Sequence, residues 1–434
     1  MDFVNLRAEE VYDGNSRIPT KDTRQFGTPT EDALRRDFTI NSLFYNIRIG
    51  KVEDFTGRGV SDLLDKRVLV TPLDPRMTFD DDPLRLLRAV RFGVRFDLPL
   101  HNDIREAAMD SKIHHSLLIK VSRERVGKEI EGMLTGEGAK PGLAFEILTK
   151  LKLSGCVFCF PPCDEVNIVG KIIDEEYSNV NKSHLQELGW LNTTYMLKIL
   201  PKILEIFDIS DETLRSSILR SGRADQNIPN FNMRLLYLSV VLYPFRQLSY
   251  TNKKNKNVKV TEFMVREGVK FKNRDVASIA NILDNVDRMG IFLQQSHCSS
   301  FNVDRLKIGL LIRDMKDLWV TALLLATAAD IHSYSKLSEG SCEDEFINKI
   351  LQNSRSLYIN ICNQNLNECW KMKPLIDGRA IIKVLDLPKG PIVGKYLQQQ
   401  IEWMLLYPNG SLEECETYLR QKKFEYDKQS SQET

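Results

Sequence analysis

The sequence predicts a mainly α-helical protein that opens on a mixed α/β segment. Three observations carry that reading. Residues 1–72 mix strand-like and helical patterns, from the run Asp2-Phe3-Val4-Asn5-Leu6 to the closing run Arg67-Val68-Leu69-Val70-Thr71-Pro72. From Met77 to about Leu153 apolar residues recur at helical spacing. Beyond Pro161-Pro162 the pattern is again mainly helical, as in Leu214 to Leu219, Met233 to Tyr243 and Leu318 to Ala328.

In chain order, the first polar signal is Asp32-Ala33-Leu34-Arg35-Arg36-Asp37-Phe38-Thr39-Ile40-Asn41. Asp37 and Asn41 stand four apart, hence side by side if the segment is helical. An Asp with an Asn can hold a ribose through its hydroxyls, and Arg35 and Arg36 can hold phosphate. A helix opening with a polar first turn fits the same residues.

The second signal is Phe79-Asp80-Asp81-Asp82-Pro83-Leu84-Arg85. Pro83 suits the first helical position, and Asp82 before it can cap the helix. Asp82 and Arg85, three apart, then share a face. An acceptor beside a donor fork matches the base edge of cytosine or adenine, whereas guanine and uracil present a carbonyl to the carboxylate. The spacing also reads as an ordinary capped helix start. Behind it Leu86, Leu87, Val90 and Val94 form one apolar face. Arg85, Arg88, Arg91 and Arg95 lie on an arc away from it, suited to a triphosphate or an RNA end. Ser122 is a good N-cap for a helix whose Val126, Ile130, Met133 and Leu134 repeat at helical spacing.

The two signals, in this order, resemble the class II nucleotidyltransferase superfamily, which contains CCA-adding enzymes and bacterial poly(A) polymerases. Arg35-Arg36-Asp37-Phe38-Thr39-Ile40-Asn41 is similar to its ribose-binding motif, and Asp81-Asp82-Pro83-Leu84-Arg85 to its nucleotide template. Asp54-Phe55-Thr56-Gly57-Arg58-Gly59-Val60-Ser61-Asp62-Leu63 resembles the hinge motif, and Ser122 to Glu129 the last neck motif. The strong resemblance, eukaryotic in flavour, covers roughly residues 1–160. It implies a head remainder over 1–72, a helical neck with the template over 73–153, a helical body over 154–370 and a tRNA-binding tail over 371–434. It implies addition of CMP and AMP to the 3′ end of tRNA, with ATP and CTP as substrates and Mg2+ as cofactor. Asp82 and Arg85 would read the base, and Arg88 and Arg91 would steady the phosphates or the template helix. Arg35, Arg36, Asp37 and Asn41 would grip ribose and phosphates, and Arg125 and Glu129 would support the neck. Asp2 would be the surviving third catalytic carboxylate. The family's Gly-Gly loop and Asp-x-Asp pair have no counterpart ahead of Asp2. The expectation is therefore a truncated form with impaired catalysis and its principal magnesium ligands missing. A poly(A) polymerase of the same superfamily, or a non-catalytic RNA-binding fragment, fits the same motifs.

Composition sets bounds. Hydrophobic residues at 42% and charged residues at 27% are ordinary globular values. No run of about 18 apolar residues occurs, so no membrane span is expected. No signal peptide is visible, and length and composition lead to the expectation of an intracellular place, whether cytoplasm, nucleus, mitochondrion or plastid. A net charge of +1 means that an RNA binder must concentrate its positive charge locally. The candidate patch is Lys253, Lys254, Lys256 and Lys259, which reads equally as a solvated loop; Lys270 to Arg274 follows it. Of the eight cysteines only Cys156, Cys159 and Cys163 have ligand-like spacing. The residues between them read as a buried segment and no histidine lies close, so free thiols are expected and no metal site. Gly390-Pro391-Ile392-Val393-Gly394 reads as a helix start after a turn, or as a phosphate cradle.

Overall fold

A computed structural model describes residues 4–6, 26–162, 168–172, 175–178, 182–207, 232–252, 254–295, 304–337 and 343–430. The chain forms two compact units, residues 1–198 with 237–280 and residues 199–236 with 281–434.

In the first unit, α1 (Pro29–Leu34) is started by Pro29 and by a capping box between Thr28 and Glu31. A 3-10 turn over Thr39–Asn41 follows, so the ribose-type motif lies on a helix end and a turn, not on one helix. β1 (Leu43–Asn46) and β2 (Lys51–Asp54) form an antiparallel hairpin with Tyr45 opposite Val52. Next is α2 (Gly59–Leu64). In the closing run Arg67 to Pro72 the strand-like pattern yields one bridge, Leu69 with Leu100. Arg67 at φ 49° and Pro72 bracket it too closely for a ladder to extend.

Helices α3 (Pro75–Asp81), α4 (Arg85–Arg95), α5 (Asn102–Ala108), α6 (Ser111–Lys120), α7 (Arg123–Thr135), α8 (Pro141–Lys150) and α9 (Ser154–Val157) come next. The predicted apolar face of α4 is buried: Leu86, Leu87, Val90 and Val94 are at most 4% exposed. It packs on α7 and α8. Val126, Ile130, Met133 and Leu134 are the buried stripe of α7. Gly127 allows a closer approach than any other residue would: a Cβ there would lie 2.0 Å from the Val269 carbonyl oxygen.

The helical pattern expected beyond Pro161-Pro162 missed a small sheet. β3 (Ile168–Ile172) and β4 (Glu175–Ser178) precede α10 (Lys182–Ile206) and α11 (Met233–Leu242). β5 (Ser249–Thr251) and β6 (Asn257–Lys259) complete an antiparallel sheet of order β4-β3-β5-β6. These strands have three to five residues, and β3 pairs with β5 across a long sequence gap. Neither property leaves a periodic signal. Trp190 on α10 stacks edge-on with Phe245, 4.7 Å between centroids, and anchors this part of the core. α12 (Val260–Phe263) passes into a π turn, and α13 (Asn273–Gln295) follows.

The second unit is helical among its described residues: α14 (Arg305–Met315), α15 (Trp319–Leu337), α16 (Glu343–Asn363), α17 (Gly378–Leu385), α18 (Pro391–Leu406) and α19 (Leu412–Ser430). Ile376, Ile381, Leu385, Tyr396, Trp403, Cys415 and Leu419 make the core of its last three helices. Gly390 is the N-cap of α18 and Pro391 its first residue, which is the helix-start reading. No helix among the described residues is long and apolar enough to cross a membrane.

Candidate nucleotide-binding site

The site lies wholly in the first unit and is built where α1, the turn after it, the α3–α4 junction and α7 meet. Helix α4 begins at Arg85, with Leu84 as its N-cap. Pro83 is therefore not the first helical residue as expected. Asp82 closes a turn instead, its Oδ1 accepting from the Leu84 N–H at 3.2 Å and its carbonyl from the Arg85 N–H at 3.0 Å. With φ −134° and ψ 96° Asp82 is extended and stands outside the helix. Asp82 and Arg85 are thus held by different partners rather than by one helix face.

Asp82 Oδ2 accepts from Arg125 Nη2 at 2.6 Å. Arg85 is 12% exposed on its side chain and is gripped on several sides. Its Nε lies 3.1 Å from Asp37 Oδ1, and its Nη1 is 3.2 Å from both Asp81 Oδ2 and the Thr78 carbonyl. Its Nη2 donates to the Arg35 carbonyl at 2.6 Å. The Nε contact is an ion pair by distance but is too poorly aligned for a hydrogen bond, and that atom is otherwise unpaired. Charge attraction tolerates that angle better than a hydrogen bond does. A guanidinium carries five N–H groups, and these partners leave one on Nη2. Each Asp82 oxygen likewise keeps a lone pair. One N–H on Arg85 Nη2 and a lone pair on each Asp82 oxygen therefore remain unused.

The arginine arc of α4 is met by carboxylates. Arg88 Nε donates to Asp37 Oδ2 at 2.6 Å, and its Nη1 lies 3.6 Å from Glu129 Oε1. Arg91 Nε donates to Glu129 Oε2 at 2.6 Å, and its guanidinium covers the Phe92 ring at 4.6 Å. Gly132 gives Arg91 its room, since a Cβ there would lie 2.8 Å from Arg91 Cδ. Arg125 and Glu129, one turn apart on α7, thus touch the segment from Asp82 to Arg91 at both ends.

On the head side, Arg35 and Arg36 both bond to Asp32, a residue the motif reading did not assign. Arg36 also donates to the Asn41 carbonyl at 3.1 Å and lies 4.8 Å over the Phe44 ring. Asn41 Nδ2 is 3.4 Å from Asp37 Oδ2, and its Oδ1 accepts from the Phe38 N–H. Asp37 and Asn41 are neighbours through a turn rather than through a helix. Buried Asp62 accepts from the Thr39 hydroxyl at 2.9 Å and ties the hinge-like segment to this turn. Burial works to raise the Asp54 carboxyl, but the Thr56 hydroxyl and the N–H groups of Val60, Thr56 and Gly59 outweigh it and hold its pKa below the usual range. Asp32 had a legible signal, its spacing of three and four to two arginines; Asp62 had one too, four residues from both Arg58 and Lys66, but its bond to Thr39 had none.

The other candidates lie apart. Asp2 and Lys253 fall outside the described residues. Lys254 and Lys256 are exposed in the β5–β6 turn, where Asn252 Oδ1 accepts from both backbone N–H groups, and Lys259 ends β6. Cys163 also lies outside the described residues, and burial pushes the Cys156 thiol up to about 11.

A family model described as the Poly A polymerase head domain matches residues 1–69. The mitochondrial CCA tRNA nucleotidyltransferase of Saccharomyces cerevisiae is 35% identical over 428 residues, 97% of this chain and 73% of the yeast protein. The CCA-adding enzyme of Bacillus stearothermophilus in complex with CTP shares the fold with a TM-score of 0.53 at 15% identity, covering 93% of this chain and 77% of that one. The CCA-adding enzyme of Thermotoga maritima complexed with tRNA does so with a TM-score of 0.51 at 18% identity, covering 90% and 73%. Together with the motif residues gathered around α4, the likeness to the yeast enzyme along nearly the whole chain shows that this protein belongs to the CCA tRNA nucleotidyltransferase family.

Proposed function

We propose that this chain selects CTP and ATP and adds CMP and AMP to the 3′ end of tRNA. The observation that supports it most is the pair Asp82 and Arg85, each fixed by neighbours, with lone pairs on Asp82 and one Arg85 N–H left over. Asp82 accepts from the exocyclic amine of cytosine or adenine, and Arg85 donates to the adjacent ring nitrogen. A uracil or guanine carbonyl would face the Asp82 lone pairs, and a mismatch of that kind is strongly rejected. Asp37 and Asn41 hold the ribose, while Arg35, Arg36, Arg88 and Arg91 offset phosphate charge or hold the template in place. The RNA 3′ hydroxyl attacks the α-phosphate, the bond to the β-phosphate oxygen breaks, and pyrophosphate leaves. Arg125 and Glu129 keep the template rigid, which lowers the cost of ordering it on binding. The Lys254, Lys256 and Lys259 turn, with Lys253, takes phosphates of the tRNA.

Magnesium is proposed as the ion of this reaction on the family's chemistry. Among the described residues no three His, Cys, Asp or Glu side chains converge as a metal site. The described part of the chain thus supplies no fitting ligand set, and the roles above involve only its own side chains.

The test is incorporation of labelled CTP and ATP into tRNA lacking its 3′ end, in the presence of magnesium. CMP addition followed by AMP addition supports the proposal. Extension with ATP alone into a long tail would show a poly(A) polymerase, and tRNA binding without addition an RNA-binding protein.

A further inference from the structure

We infer that Asp32 is a positioning residue that sets Arg35 and Arg36 as a single clamp for the triphosphate of the bound nucleotide. The inference rests on the nucleotide-binding reading above and extends it to a residue to which that reading gives no role. Asp32 lies on α1 and is 2% exposed. A carboxylate buried so deeply is costly unless paired and hydrogen-bonded. Its two oxygens take one arginine each. Oδ1 accepts from Nε and Nη2 of Arg35 at 3.0 and 2.7 Å, and Oδ2 from Nε and Nη2 of Arg36 at 3.1 and 2.7 Å.

The geometry does more than tie a short helix to itself. Two adjacent guanidinium groups repel, and one carboxylate between them lets them stand together with positive charge to spare. Both keep a solvent face, with side chains 31% and 39% exposed. The Asp32 bonds use the Nε–Nη2 edge of each guanidinium and leave the Nη1 end outside them. On Arg36 that end reaches the Asn41 carbonyl, inside the ribose-type motif. A fixed pair of this kind suits the planar, two-point recognition of phosphate oxygens. The clamp is also joined to base reading, because the Arg35 carbonyl accepts from Arg85 Nη2 at 2.6 Å. A shift of Arg35 is therefore felt at the residue that faces the base.

The experiment measures equilibrium binding of CTP, CMP and tRNA to the full chain and to two variants. Asp32→Asn keeps size but removes the charge and turns an amide N–H₂ toward one guanidinium. Arg36→Lys keeps the charge but loses the two-point bond, and it changes a partly exposed residue, so it keeps the test alive if the buried Asn variant does not fold. Without one charge-assisted hydrogen bond to the triphosphate, CTP affinity falls about tenfold in each variant. CMP affinity moves less than about threefold, so the CTP-to-CMP ratio drops, and tRNA affinity holds. An unchanged ratio in the variants overturns the inference. So does a parallel fall for CTP, CMP and tRNA, which would mark a purely structural carboxylate. If the unaltered chain binds neither nucleotide, the nucleotide-binding reading fails and the inference falls with it.

Discussion

Replacing Glu129 by Gln should destabilise the first unit by about 2 kcal/mol, and the number follows from its surroundings. The Glu129 side chain is 10% exposed, with Arg91 Nε 2.6 Å away and Arg88 Nη1 3.6 Å away. Hydrogen bonds to charged groups are worth about 1.5–3 kcal/mol, and removing one partner of a fully buried pair costs about 3–5 kcal/mol. Three features hold the cost to the lower range. Arg91 and Arg88 are 18% and 29% exposed, so water recovers part of their solvation. Arg88 keeps Asp37, and Arg91 keeps the Phe92 ring. The amide oxygen of Gln can still accept from Arg91. The assay is urea unfolding followed by circular dichroism, with linear extrapolation to water. Glu124→Gln, on the exposed first turn of the same helix, is the control and should stay within about 0.5 kcal/mol of the parent. If Glu129→Gln is no less stable than the control, α7 is not a brace of α4.

Gly127→Ala should cost at least about 2 kcal/mol in the same assay, because the new Cβ would meet the Val269 carbonyl and a backbone must move. Parent-like stability would show that α7 does not approach that segment as described. Asp54→Asn should lower stability near neutral pH. Because the folded carboxyl titrates below its ordinary value of 3.8, its contribution is present above that value and is lost as pH falls through the folded pKa. The gap between parent and variant should therefore close on acidification; a gap that widens would reverse the sign of the argument. Replacing Lys253, Lys254, Lys256 and Lys259 together by Ala should weaken tRNA binding and flatten its salt dependence by about 0.9 of a unit of slope for each phosphate no longer neutralised. An unchanged salt titration would leave that turn a solvated loop.

What could be read from the sequence was what repeats locally. The buried face of α4 and the stripe of α7 follow from spacing alone, and the helix start at Gly390 from its Gly-Pro turn chemistry. The polar residues of the site could be named, because Arg35, Arg36, Asp37, Asn41, Asp82 and Arg85 stand in two short motifs. Their partnerships could not. Asp37 meets Arg85 and Arg88 across about fifty residues, Arg125 reaches back to Asp82, and Asp62 finds Thr39. Such pairs depend on how elements pack, which no periodicity encodes. The same limit explains the β3–β5 pairing and the turn at Asp82, where one extended residue moved the helix start to Arg85. The arginine arc was read as open to an anion, but the carboxylates that answer it come from the head and from α7.

The most direct test of the central claim is nucleotide selectivity at Asp82 and Arg85. Binding of CTP, ATP, UTP and GTP should be measured for the parent chain, Asp82→Ala and Arg85→Ala. The parent should bind CTP and ATP more tightly than UTP and GTP. Each variant should lose about 1–3 kcal/mol of that discrimination, the worth of a base-edge hydrogen-bond pair, with CTP and ATP weakened most. If both variants keep the parent's order and spacing of affinities, Asp82 and Arg85 do not read the base.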